Sequence, residues 1–122
     1  MWDGFNKRRF PRVNLQCEIS IQADEFAKPI SAVTENVGIG GVCVILDQPL
    51  ERYDRCHVRF GLGKNLPKIE SHGRVMWTVP MREPRAKKSR YDTGIEFVDI
   101  DPAVQRILLE YLEQNAKDLS EV

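Results

Sequence analysis

The sequence predicts a mainly β fold, namely a small antiparallel barrel or sandwich with one helix packed at its C-terminal end. Three observations support this prediction. Short segments in which apolar and polar residues alternate recur along most of the chain, as is typical of half-buried strands. The connections between these segments are too short for crossover helices, so neighbouring strands are expected to run antiparallel. A single helical pattern of apolar residues follows the last strand.

The predicted strands differ in how regular their alternation is. The clearest covers residues 13–21, where apolar side chains alternate strictly with polar ones. Gly73 lies inside a longer strand-like segment and predicts a bulge or a bend there. The remaining strands are predicted over residues 29–35, 42–46, 55–62, 68–79 and 90–98.

The C-terminal helix has a recognisable start. Asp101 can accept hydrogen bonds from free backbone N–H groups as an N-cap, and Pro102 suits the first helical position. We expect the chain after Ala116 to be frayed. One apolar stripe at helical spacing is formed by Val104, Ile107, Leu108, Tyr111 and Leu112.

Length and charge narrow the class of protein. The 122 residues, 42% of them hydrophobic, are enough for one domain with a modest core. The 18 basic and 18 acidic residues cancel, so no global charge favours a nucleic acid polymer or an anionic membrane. No apolar run approaches the roughly 20 residues of a membrane span, and no signal peptide is recognisable. We therefore expect a cytoplasmic protein without membrane insertion.

The residues that most often carry metals or catalysis show no such pattern here. Cys17, Cys43 and Cys56 are widely spaced among apolar residues, which predicts buried free thiols and suits a reducing cytosol. His57 and His72 lie in strand-like segments without further ligands nearby. No Ser or Cys lies in a nucleophile elbow. We expect no metal site, no cofactor and no enzymatic activity.

A basic segment precedes the first strand and reads Lys7-Arg8-Arg9-Phe10-Pro11-Arg12. Guanidinium groups hold phosphate bidentately and pair with the O6 and N7 atoms of guanine. Arg8 and Arg12 could therefore contact different parts of one anionic ligand, and a flexible arm could order over it. The alternative is a solvated basic terminus without a specific role.

A second polar segment, Asn36–Gly41, is predicted to be a glycine-rich turn between two strands. Glycine permits positive φ and allows the backbone to approach a ligand closely. Asn36 offers a donor and an acceptor to a base edge or a phosphate. The alternative is a plain hairpin turn in which these residues serve only the turn.

Four short patterns, in order along the chain, resemble the PilZ domain family. Arg8 and Arg12 match the family's RxxxR pattern, and the residues from Asn36 to Gly41 match [D/N]xSxxG except that Gly38 replaces serine. Residues 73–77 and 91–99 are similar to its Gly-x-Val-x-Trp strand and its final Gly-x-x-Phe strand. The resemblance covers nearly the whole chain.

The resemblance implies a six-stranded antiparallel barrel, with a C-terminal helix, that binds cyclic di-GMP on its outer face. It divides the chain into a flexible arm over residues 1–12, the barrel and helix over residues 13–117, and a tail over residues 118–122. The implied ligand-binding residues are Arg8, Arg12, Asn36, Gly38 and Gly41, with Lys7 and Arg9 as helpers and Trp77 as either a stacking surface or a core residue.

Three functions remain open at this point. The first is a cyclic di-GMP receptor that passes its signal to an unidentified effector protein in motility, biofilm or exopolysaccharide control. The second is a degenerate PilZ adaptor that binds a protein without nucleotide, because Gly38 lacks the family's serine hydroxyl. The third is a small barrel that binds single-stranded nucleic acid through two basic segments, residues 7–12 and 82–90, and exposed aromatic residues.

Overall fold

The computed structural model describes residues 12–23, 27–63, 65–81 and 89–120 of the chain. Lys7, Arg8, Arg9 and the rest of the predicted arm up to residue 11 lie outside the described residues. A helix, α1, spans Pro102–Ser120 and follows the last strand. The strands are β1 Arg12–Val13, β2 Glu18–Gln22, β3 Ile30–Gly38, β4 Gly41–Leu46, β5 Arg55–Gly61, β6 Lys68–Pro80 and β7 Tyr91–Val98.

The strands form one antiparallel sheet that closes on itself. Neighbours in the sheet follow the order β1-β3-β2-β5-β6-β7-β4, and β3 also pairs with β4, which closes the barrel. β1 and β2 together occupy the place of the first predicted strand. The prediction of a six-stranded antiparallel barrel with a C-terminal helix is therefore confirmed.

The first predicted strand, residues 13–21, is interrupted, so its prediction as one continuous strand was wrong. Thr34 of β3 explains the break, because its hydroxyl donates to the Leu15 carbonyl oxygen (2.6 Å) and accepts from the Cys17 N–H (2.9 Å). This side chain therefore replaces part of the backbone ladder across residues 14–17, where the Thr34 N–H still donates to the Cys17 carbonyl oxygen at 2.9 Å. The register shifts with it, since Val13 lies opposite Val37 but Glu18 lies opposite Val33.

The prediction of a turn over Asn36–Gly41 was too long. Asn36 pairs with Cys43 and Val37 with Val42, so the β3–β4 ladder continues through the first half of the segment. Only Ile39 and Gly40 connect the two strands. The apolar Val37 and Val42 account for the difference, because both are fully buried in the barrel interior.

Two strands carry one extra residue each. The register of β3 against β4 shifts around Glu35, and that of β6 against β7 shifts around Met76. The bulge predicted at Gly73 is absent there, and Gly73 pairs regularly with its neighbours on both sides. A Cβ atom at Gly73 would lie 2.7 Å from Cγ2 of Ile95, so close strand packing explains this glycine.

The barrel interior is apolar and is covered at one side by α1. Leu108 and Leu112 of the helix are fully buried against the core, as the predicted stripe requires. The predicted N-cap is also present, because the Ala103 N–H donates to Asp101 Oδ1 at 2.8 Å. The helix continues past Ala116 to Ser120. The three cysteines are buried and free, as predicted.

The seam between β3 and β4 is only partly closed. Pairing extends from Thr34 to Val37 and stops there. Below it the strands separate around a groove of about 460 Å³. Because Thr34 donates its N–H toward Cys17 on the β2 side, the alternating backbone of β3 directs the N–H and C=O groups of Ser31 and Val33 toward this groove.

Candidate ligand-binding surface

β1 brings the two predicted motifs together. Arg12 lies opposite Gly38 and Val13 lies opposite Val37 in an antiparallel pair. The backbone of the last arginine in the basic segment is therefore adjacent to the middle of the Asn36–Gly41 segment, although 26 positions separate them in sequence. The register of one short strand thus places the Arg12 end of the basic segment beside the glycine segment.

Asn36 lies on the outer face of the barrel, because its strand neighbour Val37 points into the core. Its side chain is half-buried, and its Oδ1 atom is inaccessible to solvent and accepts no hydrogen bond from the residues that the structure describes. A buried acceptor without a partner is costly, by about 1–3 kcal/mol. A ligand that presents an N–H donor would supply this partner only after the groups that cover the oxygen move aside.

Gly41 is required by strand packing rather than by turn conformation. A Cβ atom there would collide with the carbonyl oxygen of Ile95 on β7. No glycine in the described part of the chain has positive φ, so the expected conformational role is not used there. Gly38 is buried at the end of β3. Neither position carries a side chain on the outer face, and both glycines are buried in the described structure.

Trp77 is half-buried and lies on the outer face next to this backbone. It is opposite Gly94 in the β6–β7 pair, and a Cβ atom on Gly94 would collide with the Trp77 ring. Asn36 pairs with Cys43, and Cys43 pairs with Gly94. One cross-strand line therefore runs from Asn36 to Trp77, which places the indole on the same face as the motif.

Sequence reasoning missed two carboxylates near Asn36. Burial, followed by the charge of Asp92, raises the pKa of Glu35, while nearby Arg90 lowers that pKa. Asp92 also has a buried oxygen, Oδ1, that accepts no hydrogen bond from any residue of the described ranges. The sequence does place Asp92 at an outward-facing position of the last predicted strand. Its proximity to Glu35 could not be predicted, because it depends on the bulge in β3.

The remaining chemistry of the described residues is limited. No group of three or more potential metal ligands is found within residues 12–23, 27–63, 65–81 and 89–120. His57 and His72 face each other across β5 and β6 with ring centroids 5.6 Å apart. No helix in the described chain is both long and apolar enough to cross a membrane.

Comparison with known proteins identifies the family. A family model described as "PilZ domain" matches residues 6–114, which include both motifs and the whole barrel. The chain belongs to the PilZ domain family. This membership confirms the resemblance seen in the four sequence patterns. No curated protein matches the PilZ chain.

Solved structures share the PilZ fold at low sequence identity. The motility inhibitor MotI (DgrA) of Bacillus subtilis matches with a TM-score of 0.74 at 20% identity, covering 91% of this chain and 52% of its own. The PilZ domain of Escherichia coli YcgR, solved with c-di-GMP, matches with a TM-score of 0.69 at 12% identity, covering 94% and 98%.

A third similar structure is the MrkH–c-di-GMP complex of K. pneumonia, with a TM-score of 0.64 at 16% identity. It covers 92% of this chain and 52% of MrkH. The present chain therefore spans about half the length of MotI and MrkH, but almost all of the YcgR PilZ domain. At these identities the likeness concerns the fold.

Proposed function

We propose that this protein is a non-catalytic receptor for cyclic di-GMP. The observation that carries the proposal is the register of β1 against β3, because it sets the backbone of Arg12 beside Gly38. The described end of the family's arginine motif therefore lies beside its glycine motif. Three structurally similar proteins belong to this fold, and two of them, YcgR and MrkH, were solved with c-di-GMP.

Each site residue has a chemical role in this proposal. Arg8 and Arg12 hold phosphate and guanine groups, with Lys7 and Arg9 adding positive charge. The Oδ1 atom of Asn36 would accept from an N–H donor on the guanine edge once the groups that cover this oxygen move aside. Gly38 and Gly41 add no side chain between the barrel and the ligand, and Trp77 provides a flat wall for a base.

The output of such a receptor requires another protein. Ligand binding would order the arm over residues 1–12, and an effector protein would read the change in motility, biofilm or exopolysaccharide control. The three buried free thiols suit a cytoplasmic location. The balanced charge of the chain argues against a nucleic acid polymer as the ligand.

Calorimetric titration of cyclic di-GMP into the purified chain tests the proposal directly. GTP and cyclic di-AMP serve as controls for the phosphates and for the base. We expect selective binding near micromolar affinity, about −8 kcal/mol. The stoichiometry distinguishes one bound nucleotide from an intercalated pair. Equal binding of all three nucleotides, or no binding by a folded chain, would reject a cyclic di-GMP receptor.

Charge reversal then tests the site. Arg12→Asp should weaken binding at least about tenfold, because a hydrogen bond to a charged group contributes about 1.5–3 kcal/mol. Arg106→Asp is the matched control, since Arg106 is exposed on α1 and makes the same charge change away from the motifs. Equal affinities of both variants would place the ligand elsewhere on the protein.

A second candidate function rests on Gly38. The family pattern has serine at this position, and a missing hydroxyl removes one hydrogen bond to a ligand. A PilZ adaptor that binds a protein partner without nucleotide would follow if the loss were complete. A folded chain that binds no cyclic di-GMP even at millimolar concentration would favour this adaptor over the receptor.

A further inference from the structure

One buried threonine holds the chain that leads out of the arginine segment. The Thr34 hydroxyl of β3 donates to the Leu15 carbonyl oxygen at 2.6 Å and accepts from the Cys17 N–H at 2.9 Å. Both partners lie in the connection between β1 and β2. Thr34 is only 1% exposed, so water does not reach this hydroxyl. One hydroxyl group therefore satisfies a carbonyl and an N–H group of the same connection.

The connection also has to accommodate one extra residue. Arg12 lies opposite Gly38, whereas Glu18 lies opposite Val33. The chain thus takes six steps from residue 12 to residue 18, while β3 takes five from residue 38 to residue 33. Between these two points, the N–H and the side chain of Thr34 both bond to the connection. Thr34 therefore lies where the extra residue is taken up.

β1 alone gives the arginine backbone little support. The strand consists of Arg12 and Val13, and both pair with β3. Val13 is buried in the core and fixes the inner side of this short strand. Because an isolated pair of strands is marginally stable even at full length, a ladder of two residues needs further support. The connection that Thr34 holds begins directly after Val13 and supplies it.

Thr34 is also close in sequence to the second motif. The register of β3 against β4 shifts around Glu35, directly after Thr34, and Asn36 is the next residue. The same residue therefore bonds to the connection that follows Arg12 and precedes the bulge that sets the position of Asn36. Its side chain points into the barrel, whereas Asn36 lies on the outer face. Thr34 could thus affect a ligand only through the backbone.

We propose that Thr34 is a positioning residue of the candidate ligand site, because its hydroxyl holds the Arg12 backbone beside Gly38 before a ligand arrives. Valine has a similar shape but no hydroxyl, so it would leave the two backbone groups without their partner. A site that is ordered in advance loses less conformational entropy on binding. The proposal deepens the receptor function, and it rests on that function only in naming cyclic di-GMP as the ligand.

A second buried threonine allows this role to be separated from general stability. Thr93 of β7 is fully buried, and its hydroxyl donates to the Tyr91 carbonyl oxygen of its own strand at 3.2 Å. This hydroxyl holds no connection between strands. Thr93→Val therefore removes a comparable buried hydroxyl without releasing the chain behind Arg12, and it is the matched control for Thr34→Val.

The first test needs no nucleotide and measures amide hydrogen exchange in the ¹⁵N-labelled full chain, corrected for intrinsic rates. In the unmodified chain, the Cys17 amide should exchange at least about tenfold more slowly than the amide of exposed Gln16. Thr34→Val should speed exchange at residues 13–17 at least about tenfold, whereas Thr34→Ser should not. Equal protection of Cys17 and Gln16 in the unmodified chain would overturn the proposal even if Thr34→Val did not fold.

The second test titrates cyclic di-GMP into the same folded variants by calorimetry. Thr34→Val should weaken binding at least about tenfold, whereas Thr34→Ser and Thr93→Val should stay within about twofold of the unmodified chain. Urea unfolding in parallel reports the stability of each variant. Rescue by serine would show that the hydroxyl, and not the packing of the methyl group, supports the site.

The outcomes separate this inference from the receptor function. Equal affinities of Thr34→Val and Thr93→Val, or an equal loss in Thr34→Ser, would overturn the positioning role while leaving cyclic di-GMP binding intact. A folded unmodified chain that binds no cyclic di-GMP would instead reject the receptor. Faster exchange at residues 13–17 in Thr34→Val would then retain the role of Thr34 in holding the Arg12 backbone, and unchanged exchange would overturn it.

Discussion

The inner and outer faces of the same strands follow different physical rules. Ile95 of β7 points inward and is fully buried, whereas its neighbours Gly94 and Glu96 point outward. Inside, the barrel is packed with apolar side chains. Outside, it keeps an unpartnered Asn36 oxygen and two opposed arginines. The Asn36 oxygen, a departure from good pairing on the outer face, therefore lies at a position that we assign to recognition.

The largest expected effect is the difference in stability between a substitution on the inner face and one on the outer face. Ile95→Ala removes a fully buried side chain and should lower the free energy of unfolding by about 2–5 kcal/mol. Val79→Ala, on the adjacent strand but 51% exposed, should change it by less than about 0.5 kcal/mol. Urea unfolding of both variants measures the difference. Similar losses in the two variants would contradict the assignment of inner and outer faces.

An inner-face thiol should make stability depend on alkaline pH. Burial raises the pKa of Cys56 from 9.0 to about 11. The contribution of the buried thiol to the free energy of unfolding is complete below pH 9, where the thiol is neutral in the folded and the unfolded chain. This contribution is lost as pH rises toward 11, because the thiol of the unfolded chain ionises first. We expect a loss of about 2–3 kcal/mol across this interval.

Comparison with Cys56→Ala isolates this contribution. The variant will be less stable at pH 7, but its unfolding free energy should decline less between pH 9 and 11 than that of the unmodified chain. Parallel pH profiles of the two proteins would show that Cys56 is not protected from ionisation in the folded state.

Restoring the family's serine at position 38 should increase the affinity of the outer face for cyclic di-GMP. Gly38→Ser adds a hydroxyl at the middle of the motif, and one hydrogen bond adds about 0.5–1.5 kcal/mol, or up to about tenfold in affinity for cyclic di-GMP. Gly63→Ser is the control, because nothing lies within 4 Å of a Cβ atom there. Calorimetry reports both affinities. Weaker binding by Gly38→Ser would mean that the ligand needs bare backbone at this position.

The smallest expected effect concerns Arg55 of β5 and Arg74 of β6, which lie directly opposite each other. Arg55→Glu places opposite charges across β5 and β6, so thermal unfolding should show a gain of about 0.2–1 kcal/mol. Arg106→Glu again controls for the change in net charge. A loss of stability in Arg55→Glu would show that Arg55 has a structural role instead.

The alternation of apolar and polar residues predicts the features of the fold that depend on local sequence, and it misses those that depend on a partner strand. Alternation located most of the strands, and the Asp101-Pro102 pair located the start of the helix, because both signals depend on local sequence. It could not locate the extra residues at Glu35 and Met76, because a bulge is defined only against a partner strand. It also missed the break at residues 14–17, which a side chain from β3, Thr34, creates.

The candidate site was predictable to a similar degree. The patterns around Arg12 and Asn36 indicated a shared site through their resemblance to a family, and the β1–β3 register places them together. The opposed Arg55 and Arg74 could not be found in this way. They are 19 positions apart, and only the β5–β6 register makes them neighbours. Cross-strand chemistry of this kind depends on tertiary structure.

The partly closed seam has a mechanical consequence. The barrel is closed between β3 and β4 only by a short ladder from Thr34 to Val37. Beside Ser31 the two strands are separated by the groove. Val37 holds that ladder and the Val13 end of β1 simultaneously. A ligand that holds the chain around Arg12 in place would thus also stabilise the pairing of β3 with β4 that closes the barrel. Amide hydrogen exchange along β3 and β4 would then slow when the nucleotide binds.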